Sequence, residues 1–421
     1  MSGLNFLNKL LDGVDVEWLS LGELGDFIRG NGLQKKDFVE SGFPAIHYGQ
    51  IYTRYGLSAD KTFTYVLPEL ANKLRKAQKN DLLLATTSEN DEDVVKPLAW
   101  LGDNVAISGD MMLFRHEQNV KYLAYFFQSE IFQTQKMKYI TGAKVRRVSS
   151  GDLSKIKIPI PSSNNPEKSL TIQSEIVRIL DKFTALTTEL TAELTMRKNQ
   201  YNYYRDQLLS FKEGNVAWKT LGEISRKISS GGTPKTGVTE YYDGTIPWLR
   251  TQEVDFREIW DTEIKITEEG LKTSSAKWIP KDCIIIAMYG ATVGKIGINK
   301  IPMTTNQACA NIQLDEEIVH YRYVFHFLCS QYAYIKSLGT GSQTNINAQI
   351  VKNIKIPVPF AENPEKSLNE QLRIVNILDK FDTLTSSITE GLPREIELRQ
   401  KQYEYYRDLL FSFPKHETTS N

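Results

Sequence analysis

The sequence predicts an α+β protein: two mixed α/β modules separated by two long repeated helices, packed as an antiparallel coiled-coil pair with pseudo-twofold symmetry. Three observations carry this. Residues 156–183 read IKIPIPSSNNPEKSLTIQSEIVRILDKF and residues 354–381 read IKIPVPFAENPEKSLNEQLRIVNILDKF, at a constant offset of 198. Self-similarity of that length marks a tandem duplication. Beyond the prolines, Ile172, Ile176, Ile179, Leu180 and Phe183, then Leu186, Leu190 and Leu194, recur at helical spacing, as do Leu372, Val375, Leu378, Leu384 and Ile388. Such stripes need a partner helix. The blocks between hold short apolar runs, LLLAT at 82–86 and IIIAMY at 284–289, which read as buried strands.

Taken in order, residues 1–155 form the first module, with a short N-terminal helix. Residues 156–213 form the first helical block, 214–353 the second module and 354–421 the second helical block. Trp18–Glu23 and Trp218–Glu223 match at offset 200. Tyr122–Phe127 and Tyr323–Leu328 are aromatic-rich and read as short helices. The IKIPxP runs are strand-like and end at Pro159/Pro161 and Pro357/Pro359. Asn165-Pro166 and Asn363-Pro364 suit helix starts. Lys168 to Leu209 would reach roughly 60 Å if unbroken. YNYYRDQLLSF (201–211) and YEYYRDLLFSF (403–413) match at offset 202, so the second copy carries four extra residues near Gly391–Arg394. The tyrosine clusters at these ends suit either core packing or a partner-docking surface, with Tyr203, Tyr204, Tyr405 and Tyr406 as the docking candidates.

Lysine plus arginine and aspartate plus glutamate each total 51, so net charge is zero. This excludes a uniformly basic coat but permits local basic patches. Three cysteines, without a C-x-x-C pair, point to a reducing cytoplasm. No signal-peptide form and no uninterrupted apolar run of about 18 residues are present, so a membrane is not expected as partner. Gly290–Ile296 resembles a phosphate loop but has three residues between its glycines and isoleucine after the lysine. His320, His326 and Cys329 have loose metal-like spacing without a second ligand pair, so packing is the expected role. No G-x-S-x-G elbow, G-x-G nucleotide loop or Asn/Asp-Pro-Pro-aromatic tetrapeptide occurs. No catalytic residue and no metal site are expected.

Basic groups cluster locally. Lys136, Lys138, Lys144, Arg146 and Arg147 lie within 12 residues with no acid among them. They could neutralise phosphates or fork onto guanine edges, or form a solvated loop. The equivalent stretch of the second block carries Gln343, Asn345 and Asn347, suited to adenine edges. Both stretches precede an IKIP run, so one topological position carries different side chains. Further candidates are Lys235, Trp248, Arg250, Tyr289 and Lys295, with first-block counterparts Lys35, Tyr48 and Arg54. Trp248 also suits a core position.

Together the IPWLRTQEV, IIIAMYGATVGKIGI, TNQACANI, IKIPxP, NPEKSL, IVxILDKF and YYRDxLLSF runs resemble the specificity subunit of type I restriction–modification systems. The first module departs most: ATTSENDEDVVK (85–96) stands where the second has AMYGATVGK. The resemblance implies a non-catalytic reader of double-stranded DNA, each module a target-recognition domain for one half of a bipartite sequence. It implies helices that act as spacer and dock for two methyltransferase subunits, which would bring S-adenosylmethionine. Two motor-nuclease subunits, where the system has them, would bring ATP hydrolysis, magnesium and cleavage. No cofactor is expected in this chain itself. A self-contained DNA methyltransferase or nuclease, and a coiled-coil scaffold without DNA contact, are the alternatives from other classes.

Overall fold

A computed structural model describes residues 11, 13–211, 216–339, 345–387 and 390–413. The N-terminal helix expected within the first residues lies outside these, Leu11 apart. The chain divides into two compact units, residues 1–189 with 397–421, and residues 190–396.

In the first unit a five-stranded sheet runs in the order Gly25–Arg29, Met111–His116, Leu82–Ala85, Lys96–Trp100, Ser58–Ala59. The first three pairings are antiparallel and the last is parallel. The second unit repeats the order with Ser225–Ser230, Cys309–Leu314, Ile284–Ala287, Ile296–Asn299, Arg257–Ile259, and the same directions. The two apolar runs seen in the sequence are the central strands, buried at every position. Sheet covering on both faces explains why they read as continuous rather than alternating. One face carries the aromatic helices, Val120–Gln128 and Tyr321–Ser330. The other meets a smaller sheet, four strands in the first unit and three in the second.

Each IKIPxP run is a strand, Lys157–Pro161 or Lys355–Pro359, paired antiparallel with Val16–Ser20 or Val216–Thr220. Trp18 faces Pro159 and Trp218 faces Pro357 in register. Prolines are tolerated here because each ladder has two strands and so exposes edges needing no donor. Both runs end in a left-handed residue, Ser162 (φ 51°) and Phe360 (φ 48°), which turns the chain into the helix that follows.

The first long helix is continuous over 43 residues, Pro166–Leu208, about 65 Å at 1.5 Å per residue. The second copy forms two helices, Pro364–Ser386 and Gly391–Phe411. The offset between the copies changes from 198 to 202 across this break. Gly391 has φ +81°, and a Cβ there would lie 2.5 Å from the Thr383 carbonyl oxygen. Pro393 cannot take an interior helical hydrogen bond. Gly391-Leu-Pro393 therefore separates the two helices, so the second copy is not the single long helix expected from its repeat.

Pairing within each unit is antiparallel. In the first, Phe183 stacks on Tyr406 at 5.2 Å; in the second, Tyr204 stacks on Phe381 at 5.4 Å. The C-terminal segment thus completes the first unit's core, where Leu410 and Phe411 are fully buried against Tyr122 and Phe126.

The joint between module and helix is the same in both copies. Tyr122 Oη donates to Pro159 O at 2.6 Å, and Tyr323 Oη to Pro357 O at 2.8 Å. Gln173 accepts from the Asn119 amide and Gln371 from the His320 amide. Asp181 takes Lys121 and Tyr125; Asp379 takes Arg322 and His326. Burial raises the Asp379 carboxyl pKa, but the His326 and Arg322 hydrogen bonds more than offset this and leave it lowered. Buried polar groups need such partners, which accounts for the near-identity of the helical blocks: IKIPxP, the glutamine beyond NPEKSL and the aspartate of LDKF supply the joint.

Candidate nucleic-acid interface

The two strongest recognition stretches fold onto one topological position in each unit. In the first, Arg146–Arg147 pairs antiparallel with Thr87–Ser88, setting Arg147 opposite Thr87. Thr141 and Arg147 exchange backbone hydrogen bonds at 2.9 Å, closing a hairpin whose tip carries Lys144. In the second unit the Ile346 amide donates to Met288 O at 3.0 Å, so Asn345 runs beside Tyr289. Residues chosen separately from the sequence, Tyr289 and Asn345, therefore belong to one site. Gln343 lies outside the described residues.

The flanks of this site are alike in the two copies. Val148 and Ile346 are buried, Ser149 and Asn347 cap the following helices, and Ala85 and Ala287 end the central strands. The side chains between them differ: Arg147 against Asn345, and Thr87 against Tyr289. Alike scaffold with unlike functional groups is the arrangement two different readers require. Asn347 is an N-cap, its Oδ1 accepting from the Ile350 amide at 2.9 Å, which leaves only its amide NH₂ for a ligand.

The basic run of the first unit divides by environment. Lys138, Lys144 and Arg147 are exposed. Arg146 pairs with Asp91 at 2.8 Å and donates to Gly142 O. Lys136 does not belong to the exposed set. It is fully buried, and its Nζ donates to Glu92 O at 2.8 Å and Val94 O at 3.0 Å. Burial lowers its pKa to about 8, against the pull of Asp93, Asp91 and Glu92. Its place on the inner face of helix Glu130–Met137 is the physical reason, and it anchors the 89–95 loop rather than DNA. Trp248 is likewise a core residue, 5% exposed, its indole N–H donating to Gly232 O at 2.9 Å.

The remaining candidates lie elsewhere on the modules. Lys35 is exposed on the turn Lys35–Asp37, and Tyr48 is half-buried and packs against His47 at 4.6 Å. Burial, and then the Lys35 charge, lower the His47 pKa. Arg54 lies over the exposed Phe63 ring at 5.7 Å. Lys235 is exposed. Arg250 pairs with Glu263 at 2.9 Å and Lys295 with Asp255 at 2.7 Å, so both would exchange a carboxylate for any phosphate. Among the docking candidates, Tyr203 and Tyr405 are about 60% exposed, at 62% and 61%. Tyr204 and Tyr406 are the ones held by the stacked pairs described above.

Sequence reasoning missed Arg29. It ends strand Gly25–Arg29 and, with Arg147, Phe27, Thr86 and Thr87, lines a cleft of about 370 Å³ in the first unit. Its place follows from strand register, which the fold alone sets: Arg29 opposes Met112 as Ser230 opposes Ala310. No group of three or more His, Cys, Asp or Glu side chains placed to hold a metal occurs among the described residues. His326 is taken up by Tyr201 and Asp379.

Comparison with known proteins bears on this geometry. A family model described as the type I restriction modification DNA specificity domain matches twice, at residues 13–196 and 214–398. The EcoR124I/EcoR124II type I restriction enzyme specificity subunit of Escherichia coli is 45% identical over 431 residues, covering 100% of both chains. The EcoprrI specificity subunit of E. coli is 32% identical over 93% of each chain. The fold matches the type I restriction–modification S subunit from M. genitalium with TM-score 0.55 and 16% identity, over 96% of this chain and 98% of that one. It also matches, with TM-score 0.58 and 15% identity over 94% and 97%, a chain from work on assembly and conformational transition of the type I system.

Proposed function

The chain belongs to the type I restriction–modification DNA specificity family, and from that premise we propose how its parts divide the work. It is a specificity subunit whose two family domains fit recognition of a bipartite DNA sequence. Each module reads one half-site of double-stranded DNA. The position built from Arg147 and Thr87 in one unit, and Asn345 and Tyr289 in the other, is its reader. Lys138, Lys144, Lys35, Arg54 and Lys235 supply phosphate contacts around it. The observation that carries this reading is the shared scaffold with unlike side chains at one register.

The helical blocks dock two methyltransferase subunits through the exposed Tyr203 and Tyr405. The chain itself carries out no chemistry. S-adenosylmethionine belongs to those partners, and ATP and magnesium to motor-nuclease subunits where present. No described helix is long and apolar enough to cross a membrane, and we place the complex in the cytoplasm.

The test is co-expression with the methyltransferase partner and genome-wide mapping of methylated adenines, with and without this chain. Methylation at a two-part sequence only when the chain is present is the expected result. Methylation by the isolated chain with S-adenosylmethionine would make it an enzyme. A partner complex that binds DNA equally well without it would leave only a scaffold.

A further inference from the structure

The cleft beside Arg147 in the first unit has a chemistry of its own. It is about 370 Å³ in volume, with Phe27 and Met112 among its walls. Two guanidinium groups line it. Arg147 is exposed and makes no side-chain hydrogen bond among the described residues. Arg29 has 65% of its side chain exposed; its Nε donates to Gly109 O at 3.0 Å, and its nearest carboxylate, Asp110, stands 3.9 Å away. Thr86 Oγ1 already donates to Asp110 O, and Thr141 Oγ1 to Arg147 O, so these hydroxyl protons are committed to the protein.

Guanidinium donates hydrogen bonds and accepts none. The two guanidinium groups therefore ask for an acceptor, beside a Thr87 hydroxyl that is buried without a hydrogen-bond partner among the described residues and can donate or accept. Among the described residues the ordinary surface partner of an arginine, a close carboxylate, is absent from Arg147 and distant from Arg29. Arg146, one residue away, has such a partner at 2.8 Å. The same register in the second unit carries Ser230, Met288, Tyr289, Ala310 and Asn345 in place of Arg29, Thr86, Thr87, Met112 and Arg147. Serine, tyrosine and asparagine both donate and accept. The scaffold is held while two guanidinium donors give way to serine and asparagine, which also accept.

Resting on the reading of the chain as a DNA specificity subunit, we infer that the Arg29–Arg147 cleft binds an acceptor group of the first half-site. On DNA that group is the O6/N7 edge of a guanine or a backbone phosphate. The experiment separates the two. The full chain, in complex with its methyltransferase partner, is prepared as wild type, Arg29→Ala, Arg147→Ala, the double variant, and Arg146→Ala. Each is assayed for methylation of a DNA library randomised in the first half-site, and for binding over a range of salt.

If the group is guanine, Arg147→Ala and Arg29→Ala relax preference at one base position of the first half-site, by roughly ten-fold or more. The second half-site is unchanged and serves as the folding control. If the group is phosphate, all preferences stay and the double variant lowers the salt slope by about one to two. In either case Arg146→Ala, which removes an arginine already paired, has the smaller effect. Unchanged preference and unchanged slope in the double variant would overturn the inference while leaving the specificity role standing. A wild-type complex that shows no two-part sequence preference would instead remove the premise.

Discussion

Lys136 shows how one residue can be misread from charge alone. Its ammonium is enclosed and holds two carbonyls of the loop that separates Thr87 from strand Lys96–Trp100. The folded chain holds this proton up to about pH 8, whereas the unfolded chain holds it to about 10.4. Between those values the unfolded state binds more protons, so stability rises with pH, and below about 8 the full cost remains. The neutral amine still donates to both carbonyls. Wild type should therefore gain on Lys136→Met by up to about 3 kcal/mol between pH 8 and 10, read from urea midpoints of the two proteins. A difference flat in pH would mean the ammonium stays hydrated. The tyrosines separate in the same way. Tyr203→Ala with Tyr405→Ala removes two exposed rings, each edge-on to its neighbouring tyrosine, and should reduce co-purification with the methyltransferase subunit at a smaller loss of thermal stability than the stacked pairs. Tyr204→Ala or Tyr406→Ala loses a stacked pair and should cost at least roughly 1 kcal/mol, visible as a lower Tm whether or not docking changes.

Among the elements, the continuous helix Pro166–Leu208 can be tested as the ruler of a two-part site: if it sets the distance between the recognition modules, lengthening it must change the gap. Thr187-Thr-Glu-Leu190 and Thr191-Ala-Glu-Leu194 form a near-repeat within it. Inserting one more Thr-Ala-Glu-Leu adds close to one turn, about 6 Å, and keeps the leucine stripe. Duplex DNA rises about 3.4 Å per base pair, so the gap between half-sites should widen by one or two base pairs with both halves retained. Mapped methylation showing the old gap in an active complex, or altered half-sequences, would reject this helix as the ruler. The four extra residues of the second copy lie between Phe381 and Tyr403, where that copy forms two helices rather than one, so they do not measure added helical length. That break has its own test. Gly391→Ala places a side chain at φ +81° with a carbonyl oxygen 2.5 Å away. It should destabilise the second unit by more than about 1 kcal/mol, measured by thermal unfolding.

For the whole molecule, chain order and spatial order part company. Residues 397–413 complete the unit that residues 13–189 begin, and residues 190–208 complete the unit of 216–396. Phe411 is fully buried against Tyr122 and Phe126. Phe411→Ala should cost about 3–5 kcal/mol, and the loss should appear as faster amide exchange in residues 13–189, the opposite end of the sequence. Loss confined to the C-terminal helix would mean that the segment is an appendage rather than part of that core.

The sequence by itself determined the duplication, the central strands Leu82–Ala85 and Ile284–Ala287, the aromatic helices and the family. These depend on local apolar patterns and on residues repeated at a fixed offset. It also pointed to Arg147, Tyr289 and Asn345 at the candidate site. Only the tertiary structure decided that Tyr289 and Asn345 share a position, that Lys136 and Trp248 turn inward, and that Arg29 joins Arg147. Burial of a lysine depends on carbonyls 42 and 44 residues away, and the meeting of Arg29 with Arg147 depends on strand order across more than 100 residues. Neither leaves a periodic trace along the chain. The physical reason is that a side chain's charge is fixed by its type, whereas its availability to a ligand is fixed by the groups that folding brings beside it.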